Sequence, residues 1–532
     1  MLTRTARLLG GALITSALAI VPAAGTTPGT AASAAVGSAA VGSAAAKPAG
    51  VTTVDGCLKS KPDPGTKAKI DLCYSYFKPA GATRRHPVPM IMHSHGWGGS
   101  RTEAARAFQA FTDAGYGVLS FDQRGFGDSG GHAHVENPAL EGVDVRKLVR
   151  LVSKLRWVQQ DGRGDPRLGA IGGSYGGGYQ FVGAFEELRI TGKPVFDALA
   201  PEITWNDVSD SLAPEGVVRT EWALLLSAAS VPTDALPTAV YKALLEGAAT
   251  GTYPDGSLPG TEDLVTFFEK NGPRWHVEHG RRLPIPVLFG QGTTDGLFPL
   301  QQGLRNWRTA ITKRARKHSI FVGYNGGHVL PSVLPQGVNV TSDPCSRRLA
   351  GGDFERLSIR FFDEQLKGRD RGLGGYGKLH LATAANDCVT VKKVKTTRSV
   401  DLGTVASTTT AGAPVPYEIA EGPLTVAGTP YLTGDVTALG VQNRAFYGLA
   451  IGSSPLTAHL VQNNVLPLSE DLPVTGVRRR IDLPSVSVKV PKGQHLYLLA
   501  SPISDTFAGM GSRVPGLVTI ADTTVHLPVV RR

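Results

Sequence analysis

The sequence predicts an α/β fold: a mostly parallel sheet covered by helices, a helical lid insertion, and a C-terminal β-sandwich. Three observations predict it. Short apolar runs alternate with amphipathic stretches between about 85 and 370, the rhythm of a parallel sheet with helices on both faces. Between 201 and 280 the strands drop out and only helical periodicity is left. Beyond 370 the helical periodicity goes too, and short alternating segments sit between Gly/Pro turns, as a β-sandwich requires. The composition agrees with a turn-rich globular chain. Of 532 residues, 41% are hydrophobic and 19% charged, with 65 Gly and 36 Pro, above the usual shares of about 7% and 5%.

The elements follow in chain order. Arg4 and Arg7 precede a short apolar stretch over 8–21, and Val21-Pro22-Ala23 offers small residues to a signal peptidase. A signal peptide is expected over 1–24, then an Ala/Gly/Ser-rich linker over 25–50 with too few bulky side chains to form a core. Past the signal, no apolar run is long enough to cross a bilayer, so a secreted, extracellular chain without membrane attachment is expected. The α/β unit is placed at 51–370. Strands are predicted over 89–93, 116–121, 168–172, 195–200, 287–290 and 320–322. Helices are predicted over 101–114, within 138–160, and from Tyr175. Within the insertion, helices are expected over 207–212, 221–229 and 239–249. The β-sandwich is placed at 371–532, with strands over 424–426, 445–450, 486–490 and 496–500.

Four cysteines allow three pairings. In an exported chain they are expected to form disulfides, and the shortest-loop pairing is favoured: Cys57 with Cys73 and Cys345 with Cys388. The net charge of +11 has its densest clusters at 313–317 and 478–480. Without zinc-finger spacing or an aromatic RNA-binding signature, these read as solvated surface and no nucleic-acid partner is expected. His276-Val277-Glu278-His279 lacks the H-E-x-x-H order. No metal and no cofactor are expected.

The chemistry centres on Gly172-Gly173-Ser174-Tyr175-Gly176, a G-x-S-x-G run between a strand and a helix. Such a turn strains the serine backbone and aims its Oγ outward, beside a helix N-terminus that favours negative charge. The α/β-hydrolase triad runs serine, acid, histidine along the chain. Asp295 follows the strand 287–290, and His328 follows the strand 320–322 in a Gly-rich loop. Ser174, Asp295 and His328 are therefore the candidate nucleophile, orienting acid and general base. His93-Ser94-His95-Gly96-Trp97-Gly98-Gly99 follows the first core strand. The backbone N–H groups of Trp97 and Tyr175 are the candidate oxyanion donors, with His93 and His95 shaping the loop. In Asp122-Gln123-Arg124-Gly125-Phe126-Gly127-Asp128-Ser129-Gly130, a structural role is expected. Asp122 and Arg124 are expected to pair or bind backbone.

Several stretches resemble the X-prolyl dipeptidyl-peptidase and cocaine-esterase-like acyl hydrolases. They are His95-Gly96-Trp97-Gly98-Gly99, Asp122-x-Arg124-Gly125-x-Gly127-x-Ser129-x-Gly131, and Gly172-x-Ser174-Tyr175-x-Gly177. Trp157 with Asp161-Gly162, and Phe361-Phe362-Asp363-x-x-Leu366-Lys367-Gly368, are similar too. The resemblance implies an α/β-hydrolase core with a C-terminal β-sandwich, and the family's triad positions at Ser174, Asp295 and His328. Members commonly place a tyrosine hydroxyl in the loop after the first core strand. Trp97 has none, so only the backbone donor carries over. The expected activity is that of a secreted serine hydrolase of the X-Pro dipeptidyl-peptidase-like type, cleaving a small ester or peptide substrate through an acyl-enzyme on the Ser-Asp-His triad. Glu202, Asp207, Asp210 and Glu221 are the groups that could hold a free N-terminus, if they are not simply exposed helix charges. The alternative is a non-catalytic secreted surface- or carbohydrate-binding protein on the same fold.

Overall fold

The computed structural model describes residues 50–328, 340–408, 412–512, 514 and 516–530. The expected signal peptide and nearly all of the expected linker lie outside the described residues. Among those described, no helix is long and apolar enough to cross a membrane.

Ten strands form one mixed sheet. They are β1 (Thr52–Lys59), β2 (Asp71–Lys78), β3 (Met90–Ser94), β4 (Gly117–Phe121), β5 (Leu168–Gly173), β6 (Ala198–Glu202), β7 (Leu288–Gly292), β8 (Ile320–Tyr324), β9 (Leu379–Ala382) and β10 (Cys388–Val391). Their order is β1-β2-β4-β3-β5-β6-β7-β8-β9-β10. The run from β4 to β9 is parallel, and antiparallel pairs close both ends. β3, β4, β7 and β8 are wholly or almost wholly buried, as strands covered on both faces must be. The sheet runs past residue 370 to Val391, because β9 pairs in parallel with β8.

Helices α1 (Gln109–Asp113), α2 (Glu141–Val152) and α3 (Tyr175–Thr191) join the first strands. On one face, Val145 and Leu148 of α2 and Tyr179 and Phe185 of α3 pack with Met92, Leu119 and Phe289 of the sheet. Phe354–Lys367 is a helix on the other face, where Phe361 and Phe362 are fully buried beside Ile91 and Ala198. Truncating such a phenylalanine to alanine costs about 3–5 kcal/mol. Asp363 of this helix accepts from the Tyr116 hydroxyl at 2.8 Å, contacts Lys367 Nζ at 3.1 Å and pairs with Arg371. The expected helix over 101–114 is shorter, a 3-10 turn over Ala105–Phe108 running into α1.

Between β6 and β7 come five short helices: Val208–Leu212, Thr220–Ser230, Thr238–Thr250, Leu264–Phe268 and Pro273–Glu278. The last two were not expected. Asp263 caps the fourth by accepting from Val265 and Thr266 N–H, and proline opens the fifth.

The C-terminal strands form antiparallel sheets. One orders Arg398–Thr408, Leu517–Leu527, Tyr431–Ala438 and Val474–Asp482. The other is built on Val415–Glu421, His495–Ser501 and Asn443–Gly452. Val405, Leu432 and Ile520 of the first share one core with Ile419, Leu449 and Leu498 of the second, as in a sandwich. Both disulfides have the shortest-loop pairing. Cys57–Cys73 ties β1 to β2, and Cys345–Cys388 ties the helix Pro344–Ala350 to β10.

Candidate active site

Ser174 follows β5 and caps α3 with φ 57° and ψ −120°, a conformation costing about 1–3 kcal/mol for a non-glycine residue. Neighbours hold it there. Ser174 N–H donates to Glu202 O at 3.0 Å, and Ser174 O accepts from Gly177 N–H at 2.8 Å. The hydroxyl makes no capping bond, so it is available to a ligand. Close approach requires glycine after it: a Cβ on Gly176 would lie 2.3 Å from Ser94 O.

Asp295 lies in the loop after β7 and is fully buried. Its Oδ1 accepts from Leu297 and Phe298 N–H, each at 2.9 Å. Its Oδ2 lies 2.8 Å from His328 Nδ1. The two loops are stitched together. Thr294 Oγ1 donates to Gly326 O at 2.7 Å and accepts from Gly326 N–H at 3.0 Å, and Thr293 Oγ1 donates to Asn325 Oδ1 at 3.0 Å. Gly327 passes over the acid with φ 106°, where a Cβ would sit 2.9 Å from Asp295 Oδ2; the position demands glycine on both counts. Trp222 and Phe298 meet the His328 ring edge to face, with centroids 5.8 and 5.3 Å away. Phe298 also lines the chamber into which Ser174 opens. Asp295 and His328 thus form a bonded pair. Ser174 shares their aromatic surroundings and makes no hydrogen bond to His328 among the described residues. Such contacts are often long in unliganded enzymes.

The loop after β3 passes over the elbow, where a Cβ on Gly96 would lie 3.9 Å from Ser174 Cβ. Neither Trp97 N–H nor Tyr175 N–H has a backbone acceptor among the described residues. His95 Nδ1 lies 2.8 Å from Gly96 O, and its Nε2 accepts from Gln123 N–H at 3.0 Å. Burial keeps His95 below its ordinary range and lowers His93 to about 3. Both are therefore neutral; His95 contacts the loop, whereas His93 lies within β3 with its Nδ1 3.0 Å from Ser120 Oγ.

Asp122 and Arg124 do not pair with each other. Buried Asp122 pairs with Arg101 and accepts from Asp128 N–H at 3.0 Å. Fully buried Arg124 reaches Asp144 at 2.9 and 3.0 Å and Asp63 at 2.7 Å. His276 is buried too, stacked on Phe185 at 4.6 Å and lowered to about 3 by desolvation. Among the described residues, no group of three or more His, Cys, Asp and Glu is placed to hold a metal.

Residues 70–329 match the family model described as X-Pro dipeptidyl-peptidase (S15 family). The match covers just under half of this chain. An uncharacterized 31.7 kDa protein of Escherichia coli is 35% identical over 104 residues, which are 19% of this chain and 34% of that protein. This chain thus spans about a third of the length of the first curated relatives it matches. A CocE/NonD family hydrolase from Staphylococcus aureus superposes with TM-score 0.58 at 12% identity, covering 91% of this chain and 97% of that one. An aminopeptidase from a marine-sediment Thaumarchaeota archaeon gives 0.62 at 15%, covering 90% and 96%. At these identities the superpositions speak for the fold.

Sequence reasoning missed several residues of this site. Leu297 and Phe298 hold Asp295 through their N–H groups, and only their place directly after the acid loop could have signalled it. Asn464, from the C-terminal sheets, donates to Asp295 O at 3.3 Å. No local pattern points to that contact.

Proposed function

We propose that the protein is an exported serine hydrolase of the S15 type, acting on an ester or peptide carbonyl through an acyl-enzyme. Ser174 Oγ attacks the carbonyl carbon while His328 Nε2 takes its proton. The negative charge moves to the carbonyl oxygen, facing the N–H groups of Trp97 and Tyr175. Collapse breaks the bond to the leaving group, which receives the proton from His328. Water then repeats the sequence, releasing the acid and restoring Ser174. Asp295 holds the Nδ1–H tautomer and stabilises the imidazolium.

The observation that carries this reading is the Asp295–His328 bond at 2.8 Å, with both other Asp295 acceptor contacts made to backbone N–H, at the sheet edge that bears the strained Ser174. Two disulfides support passage through an oxidising compartment. Ester cleavage is favoured over X-Pro dipeptide release, because the acidic candidates for binding a free N-terminus have other neighbours. Asp207 pairs with Arg274, Asp210 pairs with Arg305 and accepts from Gln302 at 2.6 Å, and Glu202 accepts from Tyr324 at 3.2 Å. Glu221, the exception, has a buried oxygen without a hydrogen-bond partner, but it does not line the chamber into which Ser174 opens.

A fluorophosphonate probe tests the reading. Labelling of the wild type that Ser174→Ala abolishes is expected. Folded protein that resists labelling would instead favour a binding protein on a hydrolase fold.

A further inference from the structure

The chamber in front of Ser174 has almost no polar wall. It is narrow, with a free volume of about 60 Å³. Leu212, Leu226, Leu236, Val240, Leu244 and Phe268, all from the helical insertion, form much of the wall. No Asp, Glu, Lys, Arg or His lines it among the described residues. Two tryptophans could have offered indole N–H groups, but both are engaged elsewhere. Trp97 Nε1 donates to Leu226 O at 2.9 Å, and Trp205 Nε1 to Asn271 O at 2.6 Å. Desolvation holds the Tyr175 hydroxyl well above its ordinary value, so it brings no charge. An ammonium or carboxylate entering this space would lose its water and meet only the hydroxyls of Ser174 and Tyr175, with no opposite charge in the wall. A hydrocarbon limb entering it loses nothing polar and covers apolar wall.

We propose that the insertion builds a binding chamber for an uncharged hydrocarbon limb, so that the preferred substrates are esters carrying an aliphatic or aryl chain rather than peptides with a free amine. This rests on the serine-hydrolase reading above. Each methylene the chamber buries contributes about fourfold to kcat/KM, equivalent to about 0.8 kcal/mol. Two methylenes, from acetyl to butyryl, give roughly fifteenfold.

The experiment uses the full chain and two ester series. One lengthens the acyl group on a fixed p-nitrophenol: acetyl, butyryl, octanoyl. The other lengthens the alcohol of a fixed acetyl ester. An alanyl-prolyl p-nitroanilide with a free amine is the competitor. The expected result is a rise of about tenfold or more along one series, with slower hydrolysis of the anilide. Leu244→Gln, and separately Leu226→Gln at a second half-buried wall position, are each expected to lower the long-to-short ratio several-fold. Series flat in both directions, or turnover confined to the free-amine anilide, would overturn the proposal. Fluorophosphonate labelling in parallel separates the two claims. A labelled enzyme with flat series loses the hydrocarbon chamber alone, whereas an unlabelled one loses the serine-hydrolase reading itself.

Discussion

Asp295→Asn is the most informative single change in the site. The amide has one oxygen where the carboxylate has two. On one side two backbone donors, Leu297 and Phe298 N–H, stand 2.9 Å from Oδ1. Turning the amide nitrogen toward them would set three donors against one another in a fully buried position, a cost of roughly 1–3 kcal/mol for each unsatisfied group. The oxygen therefore stays with the backbone and the NH₂ faces His328 Nδ1. That nitrogen must then accept, so the ring proton moves to Nε2, the atom that should receive the Ser174 proton. With the wrong tautomer, kcat falls about 10⁴-fold, or about 5 kcal/mol of transition-state stabilisation. Because the backbone contacts survive, thermal stability should change little. The assay pairs stopped-flow acylation by a p-nitrophenyl ester with a melting curve. If Asp295→Asn keeps within tenfold of wild-type acylation, the acid does not set the tautomer and the proposed role of His328 fails.

Arg124→Ala leaves Asp144 and Asp63 facing an empty position, so urea unfolding should show a loss of about 3–5 kcal/mol; a loss under 1 kcal/mol would contradict the buried network. Gly176→Ala drives a Cβ against Ser94 O and displaces the loop that carries Trp97. Turnover should fall at least about 100-fold, and unchanged turnover would mean that the loop position is not critical. Desolvation raises the Glu202 carboxyl from 4.5 to about 7, reinforced by Asp343, Asp353 and Glu355 against the Tyr324 hydrogen bond. A raised carboxyl favours the protonated fold. Its contribution is complete below pH 4.5 and is lost as pH rises through about 7. Glu202→Gln should thus match wild type near pH 4 and gain on the order of 1–3 kcal/mol by pH 8. Parallel melting curves at all pH values would refute this.

Core strands were legible because each is a short apolar run bounded by glycine or charge, as at Ile320–Tyr324. The hairpin of β1 and β2 was not, since β1 is largely exposed and carries no apolar run to betray it. β9 was missed because its pairing partner β8 lies far back in the chain. Asp295 and His328 could be read from their positions after strand ends, together with chain order. The surroundings of the pair could not. Trp222 arrives from a helix of the insertion, and Asn464 from the C-terminal sheets. Contacts set by how two units dock leave no periodic trace in either segment. The same applies to Arg124, whose partners Asp63 and Asp144 lie on opposite sides of it in sequence.

Asn464 also bears on how this protein could be shortened. Ala213, Val217 and Val218 of the insertion share one apolar cluster with Phe446, Val465 and Phe507 of the C-terminal sheets. Thr220 bonds Ala508 O at 2.7 Å, and the Arg219 guanidinium rests over Phe507. The last quarter of the chain is therefore a buttress behind the acid loop and the roots of the insertion. Removing it would strip oily flooring bare and let the catalytic loops sag, so a minimal version of this protein must keep its tail.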